Sequence, residues 1–140
     1  MSEKMIIRVR DVMRSGHSLV NSRDSVRDVL DKVINDDNHI VVVDKKSPDD
    51  EYGLVRLSDI AHKVLAQNKS PDRVNVYEIM SKPALCIAES MDIRYCAMMF
   101  ENFKLHAAPV VDSRGEIVGA ISYEDLVLKG LMQLSDDIQT

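Results

Sequence analysis

A short motif occurs twice in this chain, and this repetition constrains the fold more than any other feature. Each copy has a glycine, two apolar residues, a variable position, and an aspartate three positions later that is followed by an apolar residue. Glycine before a short apolar run predicts a strand entered through a tight turn, and an acid ahead of an apolar-periodic run predicts a helix start. Each copy therefore predicts a strand that runs into a helix N-terminus, where a carboxylate and free backbone N–H groups meet. The copies are Gly53-Leu54-Val55-Arg56-Leu57-Ser58-Asp59-Ile60 and Gly119-Ala120-Ile121-Ser122-Tyr123-Glu124-Asp125-Leu126.

The motif belongs to a longer internal repeat. The segment ending at Met80 resembles the one ending at Met13, 67 positions earlier, and the same offset relates two apolar sets at i, i+3, i+4, i+7. That spacing is typical of the buried face of an amphipathic helix. Each repeat thus predicts a short helix, a strand, an amphipathic helix, a strand, a turn, a strand and a helix. The apolar sets are Val26, Val29, Leu30 and Val33, and Ile93, Cys96, Ala97 and Phe100.

The repeat divides the chain into two halves. We place the first repeat at residues 6–67, the second at 74–132, and a polar linker at 68–73, where Pro71 blocks helix continuation. A half of about 60 residues is marginal for a separate core. We therefore expect one α+β module, in which two small sheets with flanking helices pack against each other with pseudo-two-fold symmetry.

Composition excludes several classes of function. The 140-residue chain has a net charge of −5 and only 4% aromatic residues, which argues against a nucleic-acid partner. No apolar run approaches the roughly 18 residues of a membrane span, and the N-terminal apolar stretch is too short for a signal peptide, so we expect no membrane contact and a cytoplasmic protein. Cys86 and Cys96 suggest neither a disulfide framework nor a zinc site, and both are expected to be reduced core residues. Without a visible activated nucleophile or metal cluster, we expect no enzyme, no metal and no catalytic cofactor.

The repeated elements resemble the tandem of CBS domains known as the Bateman module, from about Val9 to Leu131. The resemblance implies that the two repeats leave two clefts between them, which bind an adenine nucleotide (AMP, ADP or ATP) or S-adenosylmethionine. It also implies that two tandems pair into a homodimer. The segments that carry it, besides the glycine motifs, are Val9-Arg10-Asp11-Val12-Met13, Val76-Tyr77-Glu78-Ile79-Met80, Val41-Val42-Val43-Asp44 and Pro109-Val110-Val111-Asp112.

The resemblance also implies the roles of residues in the glycine motif. In the family pattern, glycine and two apolar residues are followed by serine or threonine, two variable residues and an aspartate that takes the ribose hydroxyls. The second repeat matches in full with Gly119, Ser122 and Asp125. The first keeps Asp59 but has Arg56 in place of serine or threonine, where a guanidinium suits phosphate oxygens. We therefore rank the site at Asp125 above the site at Asp59.

Further candidate residues lie at the strands of the second repeat. The family pattern His-x-x-Pro-Val-Val-Asp is present with His106 and Pro109, and it implies that His106 contacts phosphate. The matching position in the first repeat is Asn38. We expect backbone groups flanking Ala108 and Ile87 to meet the adenine, because polar groups at a sheet edge are otherwise unpaired.

Each of these residues also has a simpler structural interpretation. Asp125 and Asp59 are equally explained as helix N-terminal acids stabilised by the helix dipole, and Ser122 as a plain N-cap. His106 would then flank a buried strand, and Arg56 would be an ordinary exposed arginine.

The function that this pattern favours is a regulatory module, an energy or metabolite sensor that passes its signal to an unidentified protein partner. The alternative is a structural or protein-interaction module with empty clefts. Arg56 favours this alternative, as do Leu19 and Cys86, which stand near positions where the family often has threonine or serine.

Overall fold

A computed structural model of the chain describes residues 5–15, 18–36 and 39–134, and Asn38 lies outside these ranges. The elements follow the predicted order twice, with six strands in two three-stranded sheets. The α+β class is therefore confirmed. The helices are α1 (Val9–Val12), α2 (Val26–Asp36), α3 (Leu57–Ile60) and α4 (Ile93–Phe103), with a 3₁₀ turn at Val76–Glu78 and π-helical segments at Ala61–Leu65 and Asp125–Leu131. The strands are β1 (Ser18–Val20), β2 (Ile40–Val43), β3 (Gly53–Arg56), β4 (Ile87–Ala88), β5 (Ala107–Val111) and β6 (Ile117–Ser122).

The chain forms two compact units that do not coincide with the contiguous repeats. One unit is His17–Ala84, and the other combines the segment that precedes His17 with the chain from Leu85 onward. The opening helix of each repeat thus belongs to the unit that holds the sheet of the other repeat. We call the two bodies the 17–84 unit and the Asp125 unit.

The 17–84 unit is built on the sheet β1-β2-β3. β1 pairs with β2 in parallel, and β2 pairs with β3 in antiparallel fashion. The all-apolar β2 is buried along its whole length, as expected for a central strand with covered faces. The segment after the linker completes this core, because Val74, Val76 and Ile79 are 7%, 0% and 2% exposed within the same apolar cluster.

The Asp125 unit repeats this design with the sheet β4-β5-β6. β4 pairs with β5 in parallel, and β5 pairs with β6 in antiparallel fashion. Its apolar core takes Phe100 and Cys96 from α4, and Ile7, Val9 and Val12 from the beginning of the chain. The predicted apolar face of α4 is thus confirmed at its central positions, although Ala97 of that set is exposed.

The glycine of each motif lies where the other repeat's opening segment crosses the sheet. Arg14 and Ala120 exchange two backbone hydrogen bonds of 2.9 and 3.1 Å, and Leu54 and Ser81 exchange two of 2.9 Å. A Cβ atom at the neighbouring Gly119 would overlap the Arg14 carbonyl oxygen. Glycine is therefore needed at Gly119 for a close backbone approach. The prediction that it enters the strand from a tight turn is wrong, because Gly119 is the third residue of β6 and the turn lies at residues 113–115.

The two long helices begin at different kinds of capping residue. Ser25 caps α2, since its hydroxyl accepts from the Asp28 N–H at 3.2 Å and its own N–H donates to the Asp28 carboxylate. Ser90 does not cap α4 in the same way, although it also precedes its helix in the sequence. The N-cap there is Asp92, whose carboxylate accepts from the Arg94 N–H at 2.9 Å. Asp92 directly precedes the helix, whereas Ser90 lies too far upstream to reach its first N–H groups.

The two cysteines differ in burial. Cys96 is fully buried in the core, as predicted, but Cys86 is only half-buried, so the expectation that both are core residues is wrong for Cys86. Cys86 immediately precedes the two-residue strand β4, at an edge of its sheet.

Candidate functional site

The strongest candidate site is the junction between β6 and the final helical segment. Ser122 ends the strand and Asp125 begins the helix, as the motif predicts. The Ser122 N–H and hydroxyl donate to one Asp125 carboxylate oxygen at 3.0 and 3.1 Å. The Asp125 N–H in turn approaches Ser122 Oγ at 3.3 Å. The pair therefore forms a reciprocal helix cap, which is the capping role that the sequence allows for both residues.

The second oxygen of Asp125 faces two cations. Lys129 Nζ lies 3.3 Å and Arg14 Nε 3.8 Å from Oδ1, while Lys129 Nζ also donates to the Val12 carbonyl at 3.4 Å. The Asp125 side chain is only 3% exposed, whereas those of Arg14 and Lys129 are 43% and 51% exposed. A buried carboxylate is tolerated when it is hydrogen-bonded and paired with opposite charge, and this one has both.

The matching junction in the 17–84 unit is built differently. The Arg56 N–H donates to Asp59 Oδ2 at 2.9 Å, and its guanidinium reaches Oδ1 at 3.4 Å. The Asp59 side chain is 9% exposed and that of Arg56 34%. Arg56 is thus half-buried against its own motif aspartate, and its guanidinium contacts the carboxylate oxygen that corresponds to the one facing Lys129 and Arg14 in Asp125.

The strand residues predicted to line the site lie in the same unit as Asp125. Ala108 and Pro109 are buried in β5 and pair with Ile121 and Ala120 of β6. Ile87 is buried in β4, where it forms the first pair with β5 opposite Val110. Ala108 therefore lies upstream of the β4–β5 pairing, on the stretch of β5 that β4 does not cover.

His106 is exposed and packs against an aromatic ring. Its imidazole lies edge-on to Tyr123, with 5.5 Å between ring centroids, and its carbonyl accepts from the Tyr123 N–H at 3.0 Å. Both interactions hold His106 next to the Ser122 end of β6. A phosphate contact by His106 stays a prediction.

The structure thus brings Ser122, Asp125, His106, Ala108, Pro109 and Ile87 into one unit and Arg56 and Asp59 into the other. Sequence reasoning missed Arg14 and Lys129. Lys129 was detectable, because a lysine four residues after an aspartate on a helix is a favourable pair. Arg14 was not, since it is brought to Asp125 by the pairing of the opening segment with β6.

The described ranges contain neither a metal-binding cluster nor a membrane-spanning helix. No group of three or more histidine, cysteine or acidic side chains there is arranged to hold a metal ion. No helix among those residues is long and apolar enough to cross a membrane.

The chain is similar in sequence to known proteins. The model of the CBS domain family matches residues 76–130. An uncharacterized protein of Methanopyrus kandleri is 28% identical over 88 residues, covering 63% of this chain and 44% of the relative. A homoserine O-acetyltransferase of Methanocorpusculum labreanum is 29% identical over 126 residues, covering 89% of this chain and 24% of the enzyme. The chain thus spans less than half the length of these curated relatives.

Solved structures match over most of the chain. A hexameric CBS-CP12 protein from bloom-forming cyanobacteria has a TM-score of 0.85 and 26% identity, and the match covers 89% of this chain and 72% of the CBS-CP12 chain. A CBS domain protein from Pyrobaculum aerophilum, solved with AMP, has a TM-score of 0.79 and 18% identity, covering 93% and 99%. A CBS domain pair solved with 5′-methylthioadenosine and S-adenosyl-L-methionine has a TM-score of 0.78 and 22% identity, covering 92% and 99%.

The sequence match to the second repeat and the shared fold over both repeats agree with the motifs that first indicated this family. Residues 76–130 thus match the CBS domain family in sequence, and the chain has the fold of a CBS domain pair.

Proposed function

We propose that this chain is a regulatory module that binds an adenosine-containing ligand, with Asp125 as the principal ribose contact. The observation that supports this most is the buried Asp125 carboxylate, held at a strand–helix junction with two half-exposed cations beside it. A ribose offers two adjacent hydroxyl donors, and an ionised carboxylate is an acceptor with two oxygens. Arg14 and Lys129 would supply the positive charge that a phosphate chain requires.

The neighbours of similar fold support the class of ligand. One was solved with AMP, and another with 5′-methylthioadenosine and S-adenosyl-L-methionine. Adenosine is the part that these three ligands share. At 18% and 22% identity these ligands are those of the neighbours, so the proposal names the adenosine group and leaves the rest of the ligand to experiment.

Binding at Asp125 would proceed as an exchange of partners. The ribose hydroxyls would donate to Asp125 Oδ1 in place of Lys129 and Arg14, which lie at 3.3 and 3.8 Å in the free chain. The released cations would then pair with ligand phosphates. The same exchange is proposed with less support for Asp59, because its guanidinium partner Arg56 belongs to the same motif.

A ligand-free interaction module is the second candidate function, and the exposed apolar side chains of the Asp125 unit favour it. Tyr95, Met98 and Phe103 on α4 are 63%, 58% and 61% exposed, and Leu128 on the final segment is 69% exposed. Because α4 and the final segment contact each other, these side chains are candidates for one partner surface. A second copy of the chain, as in the expected homodimer, would cover them under either function.

Thermal-shift measurements on the full chain with AMP, ADP, ATP and S-adenosylmethionine separate the two functions. A ligand at 100 times its Kd stabilises the folded state by about 2.7 kcal/mol, which moves the Tm of a small domain by several degrees. We expect at least one of these ligands to give such a shift. No shift with any of them would favour the ligand-free module.

The Asp125→Asn variant tests the site itself. It keeps the shape of the side chain but removes its charge, so we expect at least about tenfold weaker binding, the value of one charge-assisted hydrogen bond. Glu124→Gln is the matched control, because it removes an exposed charge one residue away. Equal affinity in Asp125→Asn and the parent chain, measured by titration calorimetry, would refute the assignment.

A further inference from the structure

A cleft lies within the 17–84 unit, at the end of the β1-β2-β3 sheet that is farther from Arg56. It has a volume of about 450 Å³, which is within the roughly 300–1,000 Å³ of small-molecule sites. The parallel strands β1 and β2 both end there, since Val20 pairs with Val43, whereas Arg56 pairs with Ile40 at the other end. The lining comes from the two loops that follow these strands: Asn21, Ser22, Arg23, Asp24, Asp44, Lys45 and Lys46.

Ser22 places a hydroxyl in this cleft. The residue is 5% exposed, and its carbonyl is fixed by the Tyr77 N–H at 2.9 Å. Among the described residues, the Ser22 Oγ has no hydrogen-bond partner. Every side-chain oxygen there that is fully shielded from solvent does have a partner, so the Ser22 Oγ is not fully shielded. The Ser22 hydroxyl therefore opens onto the cleft that the residue lines. A polar group at such a buried position ordinarily has a partner, which a ligand would provide.

The cleft also presents positive charge. Arg23 and Lys46 have no ion-pair partner among the residues that the structure describes, and the Lys45 ammonium lies 4.8 Å from the centre of the Tyr52 ring. The backbone N–H groups of Ser22 and Arg23 also lack an acceptor in the same described residues. Adjacent N–H groups next to cations form the environment that binds a phosphate group.

Two carboxylates share the lining, and each has one oxygen already bonded within its own loop. Asp24 Oδ2 accepts from the Asn21 N–H at 2.9 Å, and Asp44 Oδ1 accepts from the Lys45 N–H at 2.8 Å. Their other oxygens are suited to accept from hydroxyl groups. The three cationic side chains of the lining outnumber these two carboxylates. The resulting net positive charge disfavours a metal cation as the ligand.

We infer that this cleft binds a small phosphorylated metabolite that carries hydroxyl groups. Its phosphate contacts Arg23, Lys46 and the Ser22 hydroxyl, and its hydroxyls donate to Asp24 and Asp44. The inference does not depend on nucleotide binding at Asp125, because every residue that carries it lies in the 17–84 unit.

Titration of the ¹⁵N-labelled full chain with ribose 5-phosphate, followed by amide NMR, tests this site. We expect saturable shifts at the Ser22 and Arg23 amides. Ser22→Ala and Arg23→Gln should each weaken binding by about tenfold, since each removes a contact to a charged group. Because Arg23 is exposed, Arg23→Gln keeps the test decisive if Ser22→Ala unfolds the chain.

Two controls make the result specific. Arg73→Gln, at an exposed arginine of the same unit outside the cleft, should leave the affinity unchanged. Inorganic phosphate should bind more weakly at the same amides, because it brings no polyol hydroxyls to Asp24 and Asp44. The inference is overturned if no saturable shift occurs, if Arg73→Gln weakens binding as much as Arg23→Gln, or if inorganic phosphate binds as tightly as ribose 5-phosphate.

Discussion

Asp125 is a charged residue with 3% of its side chain exposed, and its surroundings explain why it is stable there. One oxygen is bonded by Ser122 and the other faces Arg14 and Lys129. These contacts arise from two sources. The Ser122 and Lys129 contacts follow from local spacing along the chain, so both are detectable in the sequence, although Lys129 was not among the predicted residues. The Arg14 contact needs the long-range pairing of Arg14 with Ala120, which no local pattern encodes.

The two cysteines give a residue-scale prediction, because they differ in burial. Burial raises the pKa of the Cys96 thiol to about 11, whereas Cys86 is only half-buried. The thiolate is the reactive form, so alkylation by iodoacetamide should modify Cys86 in the folded chain and Cys96 only after unfolding. Raising the pH from about 7 to about 9 should leave Cys96 protected, since it stays protonated below its raised pKa.

Peptide mass mapping of the alkylated chain measures both rates. The Cys86→Ser variant is the control, and its folded form should take up no label. Labelling of Cys96 at a rate similar to that of Cys86 under native conditions would contradict its place in the core.

At the scale of elements, the sequence predicts the order of helices and strands but not the exchange of the opening segments. Periodicity reports which face of α2 or α4 is buried, and capping residues report where a helix begins. Neither signal tells which sheet a short helix such as α1 packs against, because both sheets offer similar apolar faces. One feature of the sequence reflects this exchange, namely the glycine that begins each repeated motif. Only the structure shows that the backbone of the other repeat's opening segment approaches this glycine.

Because Gly119 and Gly53 have different neighbours, their alanine variants should differ in the free energy of unfolding. In Gly119→Ala the new methyl group would overlap the Arg14 backbone and lie 3.1 Å from Met13 Sδ. In Gly53→Ala the methyl group would overlap nothing, since Met80 Sδ and the Val43 Cβ are at 3.2 Å and the Ser81 carbonyl oxygen is at 3.3 Å. Backbone yields less easily than a methionine side chain, so we expect Gly119→Ala to lower the free energy of unfolding by about 2–3 kcal/mol and Gly53→Ala by about 1 kcal/mol or less.

Urea unfolding followed by circular dichroism measures both values. Equal losses in the two variants would show that the crossing of the Arg14 backbone is not what requires glycine at Gly119.

At the scale of the whole molecule, the compact unit that contains a complete apolar core does not coincide with the segment that repeats in sequence. The apolar cluster of the 17–84 unit includes Val74, Val76 and Ile79, which belong to the second repeat by sequence. The same segment supplies backbone bonds to the first repeat, from the Val26 N–H to the Val74 carbonyl and from the Val76 N–H to the Asp24 carbonyl, both at 2.8 Å. A sequence repeat is thus a unit of pattern here, while the core of the 17–84 unit is completed by a segment contributed by the other repeat.

Two fragments of similar length separate these alternatives. Residues 6–67 form one full sequence repeat but lack Val74, Val76 and Ile79, each of which contributes about 1.5–3 kcal/mol through burial. That loss is comparable to the whole stability of a small domain, about 5–15 kcal/mol, so we expect no cooperative thermal transition. Residues 17–84 keep the entire apolar cluster and should melt cooperatively by circular dichroism, although a chain of this size is marginally stable. A cooperative transition for 6–67 and none for 17–84 would show that the contiguous repeat, and not the compact unit, is what folds.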